Sequence, residues 1–357
     1  MVKVLHLISN NSLGGAQEVV KGIVKNNENN YVYYLRYDKN DLFKEINKER
    51  VLSKKIKKNS LFRFKCLFDI YKLNKKYQFE IFHVHLGKPI IYASILKLFF
   101  PNIKIIFHEH GKIFNKDERK YISLLKFTKI FINRFIAVSK ATKEELIKKA
   151  KINPNKIKVL YNFVDTKKFN RKNITWKVNK EKAKLGIKKG EFVVGFVGRL
   201  SKEKGCDILI KALPNLNFNY KVLIAGEGKE KESLKKLAKN LGVKENVIFL
   251  GYTDKPLWVY SIIDLLVVPS RNEAFGISII EAYSLGIPVI GSNVNGIKEI
   301  MRNKNLLVNM NKIDLYKKIN YLHEHIRDLS KNLSAKKYSD EKYFIEINKQ
   351  YSKIIND

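Results

Sequence analysis

Short apolar runs and helical stretches alternate along most of this chain. In the first half, residues 4–8, 31–36, 81–85, 104–108 and 134–138 are compact runs rich in Val, Ile, Leu, Phe and Tyr. Between them, residues 16–25, 61–76, 89–99, 116–131 and 140–149 have helical character. Strand–helix alternation of this kind predicts a parallel sheet with helices on both faces. Ser139 follows one expected strand and precedes Lys140-Ala141-Thr142-Lys143-Glu144-Glu145, so it reads as a helix N-cap. The pattern then restarts. Strands are expected at 158–161, 192–197, 220–225, 247–250, 264–268 and 288–291, and helices at 207–213, 229–241 and 276–285. Two doubly wound domains in tandem follow, with ligands expected at the C-terminal ends of the strands. A polar stretch rich in Lys and Asn, residues 163–179, reads as the linker. The expected division is a first domain at 1–165, a second at 166–337 and an amphipathic terminal helix within 338–357.

Within that frame the stretch from Ser270 to Ile300 carries the most chemistry. Glu273 and Glu281 stand eight positions apart, with Phe275-Gly276 and an apolar helical start between them. Glu273 falls in the loop and Glu281 inside the helix. The backbone N–H groups from Ala274 through Phe275, Gly276 and Ile277 to Ser278 are then the unpaired donors of a helix N-terminus, a ready anion site. A carboxylate before the helix and another within it can grip hydroxyls on either side of a bound phosphate, which is the outline of a sugar nucleotide. Arg199 and Lys204 stand five apart after another strand, with glycines on either side. An Arg fork and a Lys point charge can neutralise a diphosphate. An Asp-x-Asp pair, which would hold a metal for that purpose, is absent from the sequence.

Other candidates are less specific. Gly14-Gly15 precedes a helix and lets the backbone approach a phosphate or an acceptor, but the third glycine of a dinucleotide fingerprint is missing. His108, Glu109 and His110 end an apolar strand, where ligands bind in such folds. They make a poor metal set, because adjacent strand residues point to opposite faces. His83 and His85 alternate on one strand face, and either line an acceptor cleft or are satisfied core histidines.

Composition sets limits. The 357 residues suit two domains, and 45% hydrophobic content suffices for real cores. No apolar stretch is long enough for a membrane span, and the N-terminus enters a strand with no leader pattern. The expectation is a cytoplasmic protein with two reduced cysteines, Cys66 and Cys206. The formal charge of +36 reflects either a Lys-, Asn- and Ile-rich composition or attraction to anionic surfaces. Lys54, Lys55, Lys57, Lys58, Lys65 and the basic residues within 72–76 interleave with Leu61, Phe62, Phe64, Leu67, Phe68 and Ile70. That mixture suits a helix on a membrane surface or an ordinary amphipathic helix packed on a sheet.

The motifs occur in a recognisable order: Leu13-Gly14-Gly15-Ala16-Gln17, Asn162-Phe163-Val164-Asp165, Gly198-Arg199-Leu200 with Lys204-Gly205, residues 222–228 (VLIAGEG), residues 247–251 (VIFLG), and Glu273 with Glu281. The set resembles the retaining glycosyltransferases of family 4, the group 1 glycosyl transferases with an E-x7-E motif. Phe163 departs from the glycine usual in that family's turn. The resemblance covers most of the chain and implies the α/β GT-B fold. That fold has two doubly wound Rossmann-like domains facing a central cleft, with the C-terminal helix crossing back to the first. It implies an acceptor-binding first domain and a nucleotide-sugar-binding second domain. A hexose or N-acetylhexosamine, UDP-linked, would move to a glycan or lipid-linked acceptor in cell-surface polysaccharide biosynthesis, as in capsule, O-antigen or lipopolysaccharide. Carried onto this sequence, the donor-binding positions are Gly14, Gly15, Arg199, Lys204, Glu273, Ala274, Phe275, Gly276, Ile277 and Glu281. The catalytic positions are His110, Arg199, Lys204 and Glu273, with His110-Gly111 the better match to the family's strand-end histidine. The resemblance also implies retention of configuration by a front-face route in which the leaving phosphate takes the acceptor proton. Glu109 is the one carboxylate near His110. No cofactor and no metal are expected. The expected partners are the nucleotide sugar, the acceptor and an anionic membrane surface, the inner face of the cytoplasmic membrane, with no specific nucleic acid. The rival readings are another GT-B enzyme (a phosphorylase or a nucleotide-sugar epimerase) and a noncatalytic basic protein bound to RNA or membrane.

Overall fold

The computed structural model describes residues 2–12, 14–39, 41–53, 62–111, 118–329 and 333–356. Leu13, the basic run Lys54, Lys55, Lys57 and Lys58 with Leu61, and the first residues of the helix expected from 116 lie outside the described residues. Two units divide the chain. The first comprises Met1–Asn162 and Glu341–Asp357, the second Phe163–Asp340.

The first unit runs β1 (Val4–Asn10), α1 (Gly15–Asn26), β2 (Asn30–Arg36), α2 (Phe62–Tyr77), β3 (Ile81–His85), α3 (Pro89–Phe99), β4 (Lys104–Glu109), α4 (Glu118–Thr128), β5 (Arg134–Ala137), α5 (Lys140–Ala150) and β6 (Ile157–Val159). The strands form one parallel sheet in the order β2-β1-β3-β4-β5-β6. Ser139 caps α5 by accepting the Thr142 N–H, as its position before Lys140 predicts. One face of the sheet packs Leu5, Leu7, Phe82, Val84, Phe107 and Phe135 against the inner sides of α2 to α5. The other face packs Ile8, Val32 and Tyr34 against Val20 and Val24 of α1. The run expected at 158–161 falls in the first unit, inside the expected 1–165 division. It forms β6, whose Ile157 pairs with Phe135 of β5. Only three residues long, it closes the edge of the first sheet before the chain leaves.

In the second unit come α6 (Val178–Lys184), β7 (Phe192–Val197), α7 (Cys206–Ala212), β8 (Tyr220–Ala225), α8 (Lys231–Asn240), β9 (Val247–Gly251), α9 (Pro256–Ile262), β10 (Leu265–Val268), α10 (Ile277–Ser284), β11 (Val289–Ser292), α11 (Asn295–Ile300), β12 (Leu307–Val308) and α12 (Lys312–Leu329). Its parallel sheet has the order β12-β11-β10-β7-β8-β9. The polar stretch expected as a linker is instead held to this unit. Val164 donates to Tyr338 O at 2.9 Å, and Asp340 donates back to Val164 O. Phe169 is buried and Arg171 Nε donates to Leu285 O at 2.7 Å.

The last helix, α13 (Asp340–Asn356), belongs with the first unit from Glu341 onward. It buries Tyr343, Ile347, Tyr351 and Ile354. Tyr351 meets His83 Nδ1 at 2.7 Å. His83 alternates with Phe82 and Val84, so α13 covers the same sheet face as α1. A parallel sheet needs both faces covered, and α1 alone reaches only one end of that face.

Both sheets reverse their winding beside their first strand, between β1 and β3 and between β10 and β7. Ligands bind at such switch points, outside the carboxyl ends of the strands. The loop after β7 is shaped by Gly205, at φ +68°, whose added Cβ would stand 1.9 Å from Pro269 O. Gly186 has a similar φ of +70° with nothing nearby. Gly186→Ala should therefore cost only the left-handed strain, about 1–2 kcal/mol. Gly205→Ala must also displace backbone, and its urea midpoint should fall clearly further. Equal midpoints would show that the 205 and 269 loops part freely.

Candidate functional site

Three loops meet above the switch point of the second sheet, after β7, β8 and β10. Their close approach depends on small residues, since a Cβ on Gly226 would lie 1.9 Å from Gly198 O. Leu200 N donates to Glu227 O at 2.9 Å, joining the first two loops. Arg271 joins the first and third, its N–H on Glu203 O at 2.7 Å and its guanidinium forked on Asp207 at 2.6 and 2.8 Å. Paired this way, the Asp207 carboxyl is held at about 2 despite the opposing effect of burial.

On this frame Lys204 Nζ lies 2.6 Å from Glu273 Oε2, which also accepts from Ser270 Oγ at 3.3 Å. Arg199 is exposed, and among the described residues no carboxylate pairs with it. α10 opens at Ile277 with no side chain capping it. Its first turn is closed by Ile279 N donating to Gly276 O, so the N–H groups of Ile277 and Ser278 stand ahead of the helical ladder. Ala274 and Phe275 are buried, and the Phe275 ring packs edge-on against Tyr338 with centroids 5.7 Å apart. Glu281 is half-buried in α10, and its Oε2 accepts from the buried Tyr260 hydroxyl at 2.7 Å. Burial, then the Glu281 carboxylate, holds the Tyr260 phenol well above its usual value. The structure thus brings Arg199, Lys204, Glu273 and Glu281 to loops and a helix on one edge of one sheet. Sequence reasoning missed Tyr260. It lies in an apolar run whose helix, α9, is only seven residues long.

In the first unit, Gly14 and Gly15 stand at the start of α1, beside the β1–β3 switch point, and Glu18 N donates to Gly14 O. Asn10 Oδ1 accepts from Ser12 and from Gln17, fixing the loop around them. Deeper in the same sheet lie five histidines. His6, His83, His85 and His108 are fully buried, and His110 is half-buried. Register explains their meeting, because His6 pairs with His83 across β1 and β3, and His85 with His108 across β3 and β4. His6 Nδ1 lies 2.9 Å from His85 Nε2, and His85 Nδ1 lies 2.8 Å from His110 Nε2. Each contact uses one N–H and one lone pair. The His108 and His110 rings stack at 3.9 Å. Burial holds His6 and His110 down to about 3, and holds the other three well below the usual imidazole value.

Glu109 points to the opposite face, as strand alternation requires. There it accepts from the Tyr121 hydroxyl and from Gly111 N–H. Burial pushes its carboxyl up to about 7 against those bonds. His83 and His85, read two ways from sequence, are core residues. Two histidine triads, His6/His83/His85 and His85/His108/His110, are close enough to hold a metal ion. Both ring nitrogens of His85 are already engaged, so an ion would have to replace those hydrogen bonds. His6 was not a sequence candidate. A polar residue inside the apolar β1 run is the signal that could have found it.

Comparison with known proteins adds a second line. Residues 177–340 match the family described as Glycosyl transferases group 1, and residues 15–168 match Glycosyltransferase Family 4. An uncharacterized glycosyltransferase of Methanocaldococcus jannaschii is 35% identical over 53% of this chain and 50% of its own. The match therefore spans half that relative's length. The UDP-Gal:alpha-D-GlcNAc-diphosphoundecaprenol alpha-1,3-galactosyltransferase of Escherichia coli is 30% identical over 71% of this chain and 68% of its own. Among solved structures, Anabaena HepE in complex with UDP and glucose superposes with a TM-score of 0.87. It is 22% identical, with 99% of this chain and 100% of that one covered.

Proposed function

Because this chain belongs to the group 1, family 4 glycosyltransferases, we propose that it moves a hexose or N-acetylhexosamine from a UDP-sugar. The acceptor in this reading is a glycan or lipid-linked sugar of cell-surface polysaccharide assembly, and configuration is retained. The observation that carries the reading is the grouping of Arg199, Lys204–Glu273, Glu281–Tyr260 and the uncapped start of α10 at the second sheet's switch point.

Each part has a role in this reaction. The bond from the anomeric carbon to the diphosphate breaks, and a bond to the acceptor oxygen forms. Negative charge grows on the leaving phosphate. Arg199, Lys204 and the N–H groups of Ile277 and Ser278 supply positive charge there without any proton transfer from the protein. The acceptor proton goes to the departing phosphate. As the diphosphate takes over Lys204, Glu273 is released to accept from hydroxyls of the transferred sugar. Glu281, oriented by Tyr260, accepts from the ribose hydroxyls. Gly14 and Gly15 give close backbone approach in the first unit, and His110 meets the transferred sugar. Glu109, turned to Tyr121, is left out of the covalent chemistry, so Glu109→Gln should keep substantial activity. No metal or cofactor enters this route, and the partner of the second unit is the nucleotide sugar rather than nucleic acid.

Thermal stabilisation by UDP, GDP, ADP, NAD and short RNA, with EDTA and with Mg2+, tests the reading. A ligand at a hundredfold excess over Kd stabilises the native state by about 2.7 kcal/mol. The expected result is a shift with UDP, in EDTA, that is lost in Arg199→Ala. A shift with RNA alone would overturn the enzyme reading, and a shift with GDP alone would change the base.

A further inference from the structure

The strand alternation that turns Glu109 away puts His108 and His110 on one face of β4, and β3 supplies His85 in register beside them. Each of the three offers one ring nitrogen, all within 4.8 Å of one another. A zinc-sized ion bound at about 2.0–2.1 Å holds its ligand nitrogens roughly 3.3 Å apart, so small ring rotations would close this set on one ion.

His108 points to such an ion most directly. It is fully buried, and neither of its ring nitrogens has a hydrogen-bond partner among the described residues. His110 Nδ1 is buried in the same way, and the two rings stack at 3.9 Å. Buried polar atoms are normally partnered, and such a group of exceptions in one stack calls for a ligand. His85 is already oriented for coordination. With its proton on Nε2 it donates to His6 Nδ1 at 2.9 Å, and its Nδ1 lone pair faces His110 Nε2 at 2.8 Å. Metal-ligating histidines are held in this manner, the far N–H donated to an outer partner. An ion between His85 and His110 replaces only that second contact, and the His110 proton moves to its own Nδ1. The bond to His6 stays.

The donor set also selects the ion. Glu109 is on the other face, engaged with Tyr121 and Gly111. Imidazole without carboxylate suits zinc, copper and nickel rather than magnesium or calcium. Three ligands leave a fourth position, and the half-buried His110 at the strand end gives a way in. The other triad is sealed, since His6, His83 and His85 are all fully buried and His83 Nδ1 is committed to the Tyr351 hydroxyl at 2.7 Å.

We propose that His85, His108 and His110 bind one zinc-class divalent ion at the carboxyl ends of β3 and β4, and that the ion withholds His110 from sugar. The ion is thus an inhibitor and not a cofactor. The inhibition rests on the transfer reading above; the binding does not.

The test titrates the full chain, free of any histidine tag and stripped with EDTA, with Co2+ and then Zn2+. The expected result is one cobalt per chain with the strong visible bands of four-coordinate cobalt, bleached as zinc displaces it. X-ray absorption of the zinc-loaded wild type needs no variant, and should show a nitrogen shell at about 2.0–2.1 Å with imidazole scattering. His6→Phe removes only the outer partner and should weaken cobalt binding by about 10–100-fold. His108→Phe keeps a ring in the stack but removes a ligand, and should weaken it further. His325→Ala, exposed on α12, should change nothing. One equivalent of zinc should lower sugar transfer, and EDTA should restore it. Cobalt binding is read without UDP, so failure of this site and failure of the donor site are distinguishable. No cobalt bands, an oxygen-only zinc shell, or bands unchanged in His108→Phe would overturn the site. Zinc bound at these histidines with transfer undiminished would overturn the inhibition.

Discussion

Arg199→Ala is expected to lower kcat/KM for sugar transfer by roughly 10²–10³-fold, the usual effect of losing one pre-placed group that meets charge developing in the transition state. The fold should be untouched, since Arg199 is exposed and no carboxylate among the described residues leans on it. The loss should fall mainly on kcat, because the phosphate charge it meets is largest as the bond breaks. Arg199→Lys should recover only part of the activity, since a point charge replaces a two-pronged fork. Glu281→Ala should behave differently. It removes a ribose contact and raises KM for the donor. It also strands the Tyr260 hydroxyl, bonded to Glu281 at 2.7 Å and buried, so stability should drop by about 1–3 kcal/mol. Steady-state kinetics with the sugar nucleotide identified by the thermal panel, beside melting curves, separates the two variants. An Arg199→Ala enzyme with half of the wild-type kcat/KM would remove the guanidinium from the reaction.

Much of this site is legible in the sequence because its parts are local. Ser270 to Ile300 encodes a loop, a helix start and two carboxylates within thirty residues, and α10 begins at Ile277 beside the expected Gly276. Ser139 is equally local, cap and capped N–H being three residues apart. What escaped is what depends on distant pairing. Tyr260 reaches Glu281 because α9 and α10 flank the same strand, β10. The five histidines assemble because β1, β3 and β4 are neighbours, an order no periodicity reveals. Short elements were lost as well. β12 has two residues, α11 has six, and α6 has seven and begins at the end of the stretch whose composition reads as linker. β6 is legible as a strand, but its three residues carry no sign of which neighbour they pair with.

The histidine stack carries the second large effect, on stability. In the unfolded chain each imidazole takes up a proton near pH 6.5. In the folded chain His6 and His110 resist until about 3, and His83, His85 and His108 are also held well down, by burial first and by one another second. Between those limits the unfolded state binds more protons, so stability rises with pH and is lost as pH falls. Glu109 acts oppositely. Folded, it keeps its proton up to about 7, whereas the free side chain releases it near 4.5, so its contribution grows as pH falls through that range. Five histidines less one glutamate leave a net slope of about four protons, roughly 5 kcal/mol per pH unit at its steepest. From pH 7.5 to 5.5 the loss reaches about 5 kcal/mol, comparable to the whole stability of an ordinary domain. The first unit should therefore unfold near pH 5–5.5. Trp176 and Trp258, the only two tryptophans, lie in the second unit. Far-UV circular dichroism should accordingly begin to fall while tryptophan fluorescence still reports a folded environment. Urea titrations across pH 5–7.5 would give the proton count directly. A count near zero would mean that the histidines are charged or solvated in the folded protein, and that the stack is not the closed, neutral core its hydrogen bonds describe.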